Sequence, residues 1–486
     1  MRTSFRGATS VALTLLAGTA PVEHAAAQAS RGALARGTFA VTDVTVIPMT
    51  ADTALRGHTV VVRDGRIAEI GPTRTVRVPG GVRRVDGSGK YLIPGLADMH
   101  THLFSDDAVP DSLAADELGV MLANGVTTVR LMIGTPEHLA LRRDIIAGRT
   151  LGPQLWVASP QFAGKPYDNG VVVTTPDEAR AAVRKAKADG YDFVKLTLFI
   201  SRPVYDAITD EARRTGIRVV GHVDDSVGVA RAIEAGQQIE HLDNYFEAAL
   251  ADSAPMKASV TQYGVFKAEN WKSLDYIDDR KLDALAGATA RAGIWSSPTL
   301  NVFNQAFAIG MTDREIRARP DWNLMPAEWR SLYLGARTKY WATPADAGRR
   351  KRYVYVRNHL VKAIADSGGR ILAGSDSPEW FHVYGWALHR ELASYVNAGL
   401  TPYQALQAAT RNPAEFLGAL DQWGTIERGK RADFLLLAAN PLEHIANTER
   451  IEAVSLGGRW IPKTELAAMI RRASDRMGGA PPDSLR

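Results

Sequence analysis

Two histidines one residue apart, His100-Thr101-His102, can grip a single cation if the chain there is extended, because side chains two apart in a strand point the same way. The pair follows Pro94-Gly95-Leu96-Ala97-Asp98-Met99, a short run that reads as a strand, so both imidazoles fall at its C-terminal end. Lys195 lies within Phe193-Val194-Lys195-Leu196-Thr197, an otherwise apolar strand. Burying an unpaired ammonium is costly; such a lysine either snorkels from the strand end or exists in another chemical form. His222 follows Val219-Val220-Gly221, His241 follows Ile239-Glu240, and Asp376 ends Ile371-Leu372-Ala373-Gly374-Ser375. Any one of these reads equally well as structural. Together they place imidazoles, a carboxylate and a lysine on five separate strands, a donor set for a metal centre. His24, His58, His138, His359 and His444 fall in signal, hairpin, helix or loop and are read as structural.

The sequence has 486 residues and no cysteine. Disulfides and thiolate metal sites are therefore excluded, and a metal must be held by histidine, carboxylate or a modified lysine. With 45% hydrophobic residues the chain can bury a large core. A net charge of +5 with mixed signs argues against nucleic acid as a partner.

The elements that must position the donors alternate between short apolar strands and longer helical stretches. Strands are expected at Leu96–Met99, Thr127–Met132, Gln154–Ala158, Asp192–Leu196, Arg218–Gly221, Gln238–Glu240, Gly293–Ser297 and Arg370–Gly374, with helices such as Thr175–Asp189 and Arg202–Thr215 between them. Eight such units predict an α/β (β/α)8 TIM barrel over 94–420, with active groups at the C-terminal ends of its strands. Two gaps, 245–273 and 300–352, are too long for simple connections and are read as insertions. The β-rich stretches 38–93, with a hairpin turn at Asp64-Gly65, and 421–465 are expected to pair into one small composite β-sandwich domain. Residues 466–486 read as a C-terminal tail. Arg2 and Arg6 precede the apolar run Val11–Ala20, and His24-Ala25-Ala26-Ala27-Gln28 offers a cleavage point, so 1–27 reads as an export signal for a periplasmic or secreted protein. That run is too short for a permanent membrane anchor.

At this point the sequence resembles the amidohydrolase superfamily, in its imidazolonepropionase-like and prolidase-like branch. The metal-site residues carry the likeness, and so do Ala123-Asn124-Gly125-Val126-Thr127-Thr128-Val129-Arg130, Ala235-Gly236-Gln237-Gln238-Ile239-Glu240-His241 and Gly374-Ser375-Asp376-Ser377-Pro378. Ala408-Ala409-Thr410-Arg411-Asn412-Pro413-Ala414 and Gly424-Thr425-Ile426-Glu427-Arg428-Gly429-Lys430-Arg431-Ala432-Asp433 extend it toward the C-terminus. The resemblance implies two divalent metal ions, zinc first among them. His100, His102 and Asp376 would hold one, His222 and His241 the other, and N6-carboxylated Lys195 would bridge them. It implies hydrolysis of an amide by a metal-bridging hydroxide, with Asp376 as the catalytic proton carrier. Imidazolonepropionases and many cyclic deaminases use one metal and lack the bridging lysine, so Lys195 points away from those activities.

The first substrate expectation is a dipeptide or an N-acyl amino acid. Lactone, phosphotriester or cyclic-amide hydrolysis on the same site, and a non-catalytic metal-binding barrel, are the competing readings. Asn244 and Tyr245 follow His241, Asn301 follows the seventh strand, and Trp380 and His382 lie just beyond Asp376; these five are the expected substrate contacts. The partner is a small molecule or short peptide, with a homo-oligomer left open.

Overall fold

The computed structural model describes residues 37–103, 113–166, 170–257, 259–260, 264–265, 267–306, 311–340 and 347–477. The expected export signal lies outside the described residues. Among those residues no helix is long and apolar enough to cross a membrane.

The chain opens with five strands, β1 (Phe39–Val46), β2 (Leu55–Arg63), β3 (Arg66–Pro72), β4 (Arg83–Asp86) and β5 (Tyr91–Pro94). There follow β6 (Leu96–Thr101), β7 (Val126–Leu131), β8 (Gln154–Val157), β9 (Gln161–Ala163), β10 (Gly170–Val172), β11 (Phe193–Leu196), β12 (Arg218–Gly221), β13 (Gln238–Glu240), β14 (Trp295–Ser297) and β15 (Arg370–Ile371). The chain closes with β16 (Phe434–Leu437), β17 (Ile451–Leu456) and β18 (Arg459–Pro462).

Both chain ends share one eight-stranded sheet of order β18-β17-β16-β5-β1-β2-β3, with β4 beside β1. The join is antiparallel, Phe434 opposite Pro94 and Leu437 opposite Tyr91. Asp64 and Gly65 both take positive φ at the β2–β3 turn, which is why that dipeptide signals a hairpin. Phe39, Val41, Val60, Leu92, Phe434 and Leu436 form this sheet's own apolar cluster.

The middle of the chain is a TIM-barrel-like α/β fold. β6-β7-β8 and β10-β9-β11-β12-β13-β14-β15 are the two sheets, and the pairs within them are parallel. Single parallel bridges, Ala158 to Phe193 and Thr101 to Ser377, connect one sheet to the other. All eight expected strands are present; β9 and β10 were not expected, being only three residues each and too short to show a period. Helices Pro176–Asp189 and Arg202–Thr215 stand as expected. The first starts at Thr175, whose side chain accepts from the Glu178 amide while Glu178 caps in return, and ends at left-handed Gly190.

The second expected insertion includes a π-helical turn, Val302–Ala306, and helix Ala327–Tyr340. Its expected end at 352 falls inside one continuous helix, Ala347–Asp366. The stretch read as a tail holds helix Lys463–Arg476, tied through Arg472 Nε to Asp116 Oδ1 at 3.1 Å. Burying the Leu466, Met469, Ile470 and Ala473 face explains why it is ordered structure rather than tail.

Candidate metal centre

His100 and His102 lie on and just past β6, and Asp376 lies beyond β15. Asp376 Oδ1 is 3.3 Å from both His100 Nε2 and His102 Nε2. One ligand atom from each of these three buried residues falls within 4.8 Å of the others. The second half of the expected set closes on the same point. The rings of His100 and His241 have centroids 4.5 Å apart, those of His241 and His222 are 4.8 Å apart, and His241 Nδ1 is 3.8 Å from Asp376 Oδ2. Lys195 is 1% exposed, and its charge acts on His100, His102, His241 and Asp376. Side chains from β6 and from the ends of β12, β13 and β15 thus meet at one place, with Lys195 of β11 close enough for its charge to act on them.

The tautomers suit cation binding. His100 Nδ1 bonds Glu240 Oε2 at 2.7 Å, and His222 Nδ1 bonds Asp243 Oδ2 at 2.8 Å. A carboxylate accepts only, so both Nδ1 atoms carry the proton and both Nε2 atoms keep a free lone pair. His241 Nδ1 pairs with Thr299 Oγ1 at 2.8 Å. These are the outer partners that orient imidazole ligands around metals. Burial holds His100 and His241 well below the usual histidine pKa, so both are neutral, the form that ligates. Burial also lowers the Lys195 pKa, working against the carboxylates of Glu240 and Asp376. At His102 burial is outweighed by the Asp376 bond and charge, and its pKa rises. The donor set therefore fits hard or borderline divalent cations.

Backbone strain gathers at the same place. Among the described residues eleven non-glycine positions have positive φ, and Phe199, His241, Leu242, Asn244, Thr299, Asp376, Trp380 and Phe381 all lie in segments following strands of the parallel sheets. Such conformations cost energy and persist where the surroundings impose them, often at active sites.

The expected substrate contacts divide. Tyr245 turns into the interior, its hydroxyl 2.6 Å from Thr289 Oγ1 and its pKa pushed up to about 12 by burial; a core position replaces the expected contact. Asn244 donates to Val223 O at 2.7 Å and Asp225 Oδ1 at 3.3 Å, bracing the loop. Trp380 stacks on Tyr333 of the second insertion, centroids 5.2 Å apart. His382 is fully buried and bonds Glu379 O through Nδ1 at 3.1 Å. Asn301 is fully buried, and neither side-chain polar atom has a hydrogen-bond partner among the described residues.

Arg357 escaped sequence reading because it sits mid-helix in Ala347–Asp366, 116 residues from His241. Its Nη2 donates to His241 O at 3.2 Å and Pro298 O at 3.0 Å, and its guanidinium covers the Phe303 ring at 4.2 Å. Nε and Nη1 meet no acceptor in good geometry among the described residues, although the Tyr353 hydroxyl lies close by. Glu240 and Asp243 were also missed as functional residues, though both flank His241 so closely that their positions were a usable signal.

The Amidohydrolase family profile matches residues 91–461, about three quarters of the chain. The protein belongs to that family. Within it the chain falls in the branch of imidazolonepropionases and prolidases. It is 27% identical over 248 residues to an imidazolonepropionase of Bradyrhizobium sp., covering 40% of this chain and 61% of that one. It is 31% identical over 123 residues to an enamidase of Eubacterium barkeri, 24% of this chain and 31% of the enamidase. The chain thus spans less than two thirds of either relative's length. A solved structure of a Bifidobacterium longum protein assigned as a prolidase superposes with a TM-score of 0.65 at 26% identity, covering 90% of this chain and 99% of that one.

Proposed function

We propose that this member of the family is a two-metal hydrolase that cleaves the amide bond of a small dipeptide or N-acyl amino acid. The observation that carries the reading is the convergence of His100, His102, His222, His241, Asp376 and Lys195, with His100 and His222 held by carboxylates in the ligating tautomer. His100, His102 and Asp376 are assigned to one cation, His222 and His241 to the other, and Lys195 as its carbamate to both. Divalent cations, zinc foremost, supply Lewis acidity and a water of lowered pKa when bound. A lysine neutral enough to react with carbon dioxide is consistent with the burial that lowers its pKa.

Asp376 is the group we assign to proton transfer. In amide hydrolysis the water oxygen bonds the carbonyl carbon, the carbon–nitrogen bond breaks, and the departing nitrogen must gain a proton. Asp376 takes that proton from the water and returns it to the nitrogen. A substrate carboxylate needs cationic and amide donors. Arg357 and Asn301 are assigned to it, because each has buried donor atoms without a good acceptor among the described residues. The Trp380–Tyr333 stack is assigned to the apolar end of the substrate. With this function go three structural proposals: a closed (β/α)8 barrel over 94–420, a β-sandwich made of 38–93 and 421–465, and export directed by 1–27.

The test is a screen of dipeptides and N-acyl amino acids with zinc-reconstituted protein, run beside lactones and phosphotriesters. Lys195→Ala is carried through the same screen with metal analysis. Amide turnover by the wild type, two metals per chain, and loss of both in Lys195→Ala support the proposal. Turnover of lactones or phosphotriesters alone, or a Lys195→Ala protein with full activity and two metals, overturns it.

A further inference from the structure

Arg130 lies on β7 without any exposure to solvent. Its Nε donates to Met99 O at 2.5 Å, Nη1 to Gln238 Oε1 at 2.5 Å and Nη2 to Glu240 Oε1 at 2.8 Å. The rings of Phe193 and Phe416 each stand 5.5 Å from the guanidinium carbon. The cation is therefore fixed in place and direction. Glu240, also without exposure, turns its second oxygen to His100 Nδ1 at 2.7 Å.

We propose that Glu240, held in place by Arg130, fixes the ligating tautomer of His100, and that the fixed guanidinium makes the site intolerant of an amide at position 240. The inference rests on reading His100 as a metal ligand. Arg130 has donors only, so one carboxylate oxygen of Glu240 must accept from it. Facing a buried guanidinium at 2.8 Å, Glu240 is paired as a carboxylate and offers lone pairs at both oxygens, so His100 donates from Nδ1 and the lone pair of Nε2 faces Asp376 and His102. The order is donor, acceptor pair, donor. It has a single polarity because the guanidinium cannot give up its proton.

A glutamine at position 240 keeps the shape but has one acceptor and one donor. Faced with a fixed cation, its carbonyl goes to Arg130, since charge-assisted bonds are about twice as strong as neutral ones. The amide nitrogen then turns to His100 and donates to Nδ1. The ring proton moves to Nε2, and the lone pair needed by a cation is lost. Removing the guanidinium frees the glutamine to rotate, give its carbonyl to Nδ1–H and restore the ligating tautomer. Glu240 and Arg130 are positioning residues in this scheme, acting through His100.

The experiment compares wild type, Glu240→Gln, Arg130→Met and the double variant. Zinc affinity is read by chelator competition, and the His100 tautomer by nitrogen-15 NMR of histidine-labelled metal-free protein, assigned through His100→Asn. The expected result is a roughly 10–100-fold loss of zinc affinity in Glu240→Gln, the range for outer partners of metal-bound histidines. Arg130→Met keeps wild-type affinity to within a few-fold, and the double variant regains most of the loss. Nitrogen-15 shifts should show Nε2 protonated only in Glu240→Gln. Wild-type affinity in Glu240→Gln, or a double variant as weak as Glu240→Gln, overturns the proposal. Should Arg130→Met fail to fold, Arg130→Gln replaces it, because its carbonyl accepts from the freed amide. If wild-type protein binds no zinc, the metal reading fails, while the nitrogen-15 spectra still decide the tautomer claim.

Discussion

Asp98 accepts two hydrogen bonds from Ser375, one from its amide at 2.9 Å and one from its hydroxyl at 2.5 Å. The same carboxylate takes the amide of His100 at 3.2 Å. One buried side chain thus fixes the strand carrying His100 and His102 against the segment carrying Asp376. Asp98→Ala leaves the buried amides of His100 and Ser375 without their acceptor, each costing on the order of 1–3 kcal/mol, while the Ser375 hydroxyl can turn to Ser377 Oγ at 2.8 Å. The variant should unfold at lower urea concentration, by roughly 2–4 kcal/mol, and lose metal from the His100, His102 and Asp376 group first. A midpoint within roughly 0.5 kcal/mol of wild type, the usual scatter of surface changes, would show that the clamp contributes nothing.

Asp243 is fully buried and holds His222 Nδ1. Asp243→Asn presents either an amide carbonyl or an amide nitrogen to that ring, weakening its hold on orientation. Metal affinity at the His222 and His241 pair should fall about 10–100-fold while the His100 group is less affected. Stepwise chelation followed by metal analysis separates the two. Equal loss at both groups would mean that the pair does not behave as a distinct half-site.

Sequence reading singled out the residues that the structure brings together because strand periodicity places them, and a histidine after a short apolar run needs no tertiary information. It reached all eight expected parallel strands for the same reason, with ends off by a residue or two at β6, β7, β8, β11 and β14, and with β15 stopping at Ile371 rather than Gly374. Tyr245 and Arg357 show where that reach ended. Tyr245 follows a ligand strand closely in sequence, but positive φ at His241, Leu242 and Asn244 turns the chain so that its ring enters the core. No period encodes such a turn. Arg357 comes to His241 O only because helix Ala347–Asp366 packs beside the β13 and β14 ends, a contact spanning 116 residues.

Glu391 gives the fold a pH dependence of predictable sign. Its carboxyl takes the amides of Leu300 at 2.8 Å and Asn301 at 2.6 Å from inside the core. Burial is the largest influence and pushes its pKa up to about 7, against the two amides, Tyr395 and Arg357. The folded value lies above the unfolded one, so the folded state binds the extra proton. Its contribution is present in full below the unfolded pKa and is lost as pH rises through about 7. Between pH ~5 and ~8 wild type should lose stability by on the order of 2–3 kcal/mol more than Glu391→Gln, measured as urea midpoints at both pH values. Parallel pH profiles for the two proteins would remove Glu391 as the cause.

The carboxylate assignment makes the sharpest demand on substrate chemistry. If Arg357 and Asn301 hold a substrate carboxylate, the cost of losing them must depend on whether the substrate has one. Hydrogen bonds to charged groups contribute about 1.5–3 kcal/mol, roughly 10–150-fold in an equilibrium constant. Asn301→Ala and Arg357→Lys should therefore raise KM or lower kcat/KM by about 10-fold or more for an N-acyl amino acid. For the corresponding C-terminal amide the same variants should change little. Lysine keeps the charge of Arg357 but not the planar fork, so a large effect there reports geometry rather than charge alone. Arg357 also packs over Phe303, and a general loosening of that packing would slow both substrates alike. Equal losses for acid and amide would assign Arg357 to the scaffold of the β13 and β14 ends, with the substrate carboxylate held elsewhere.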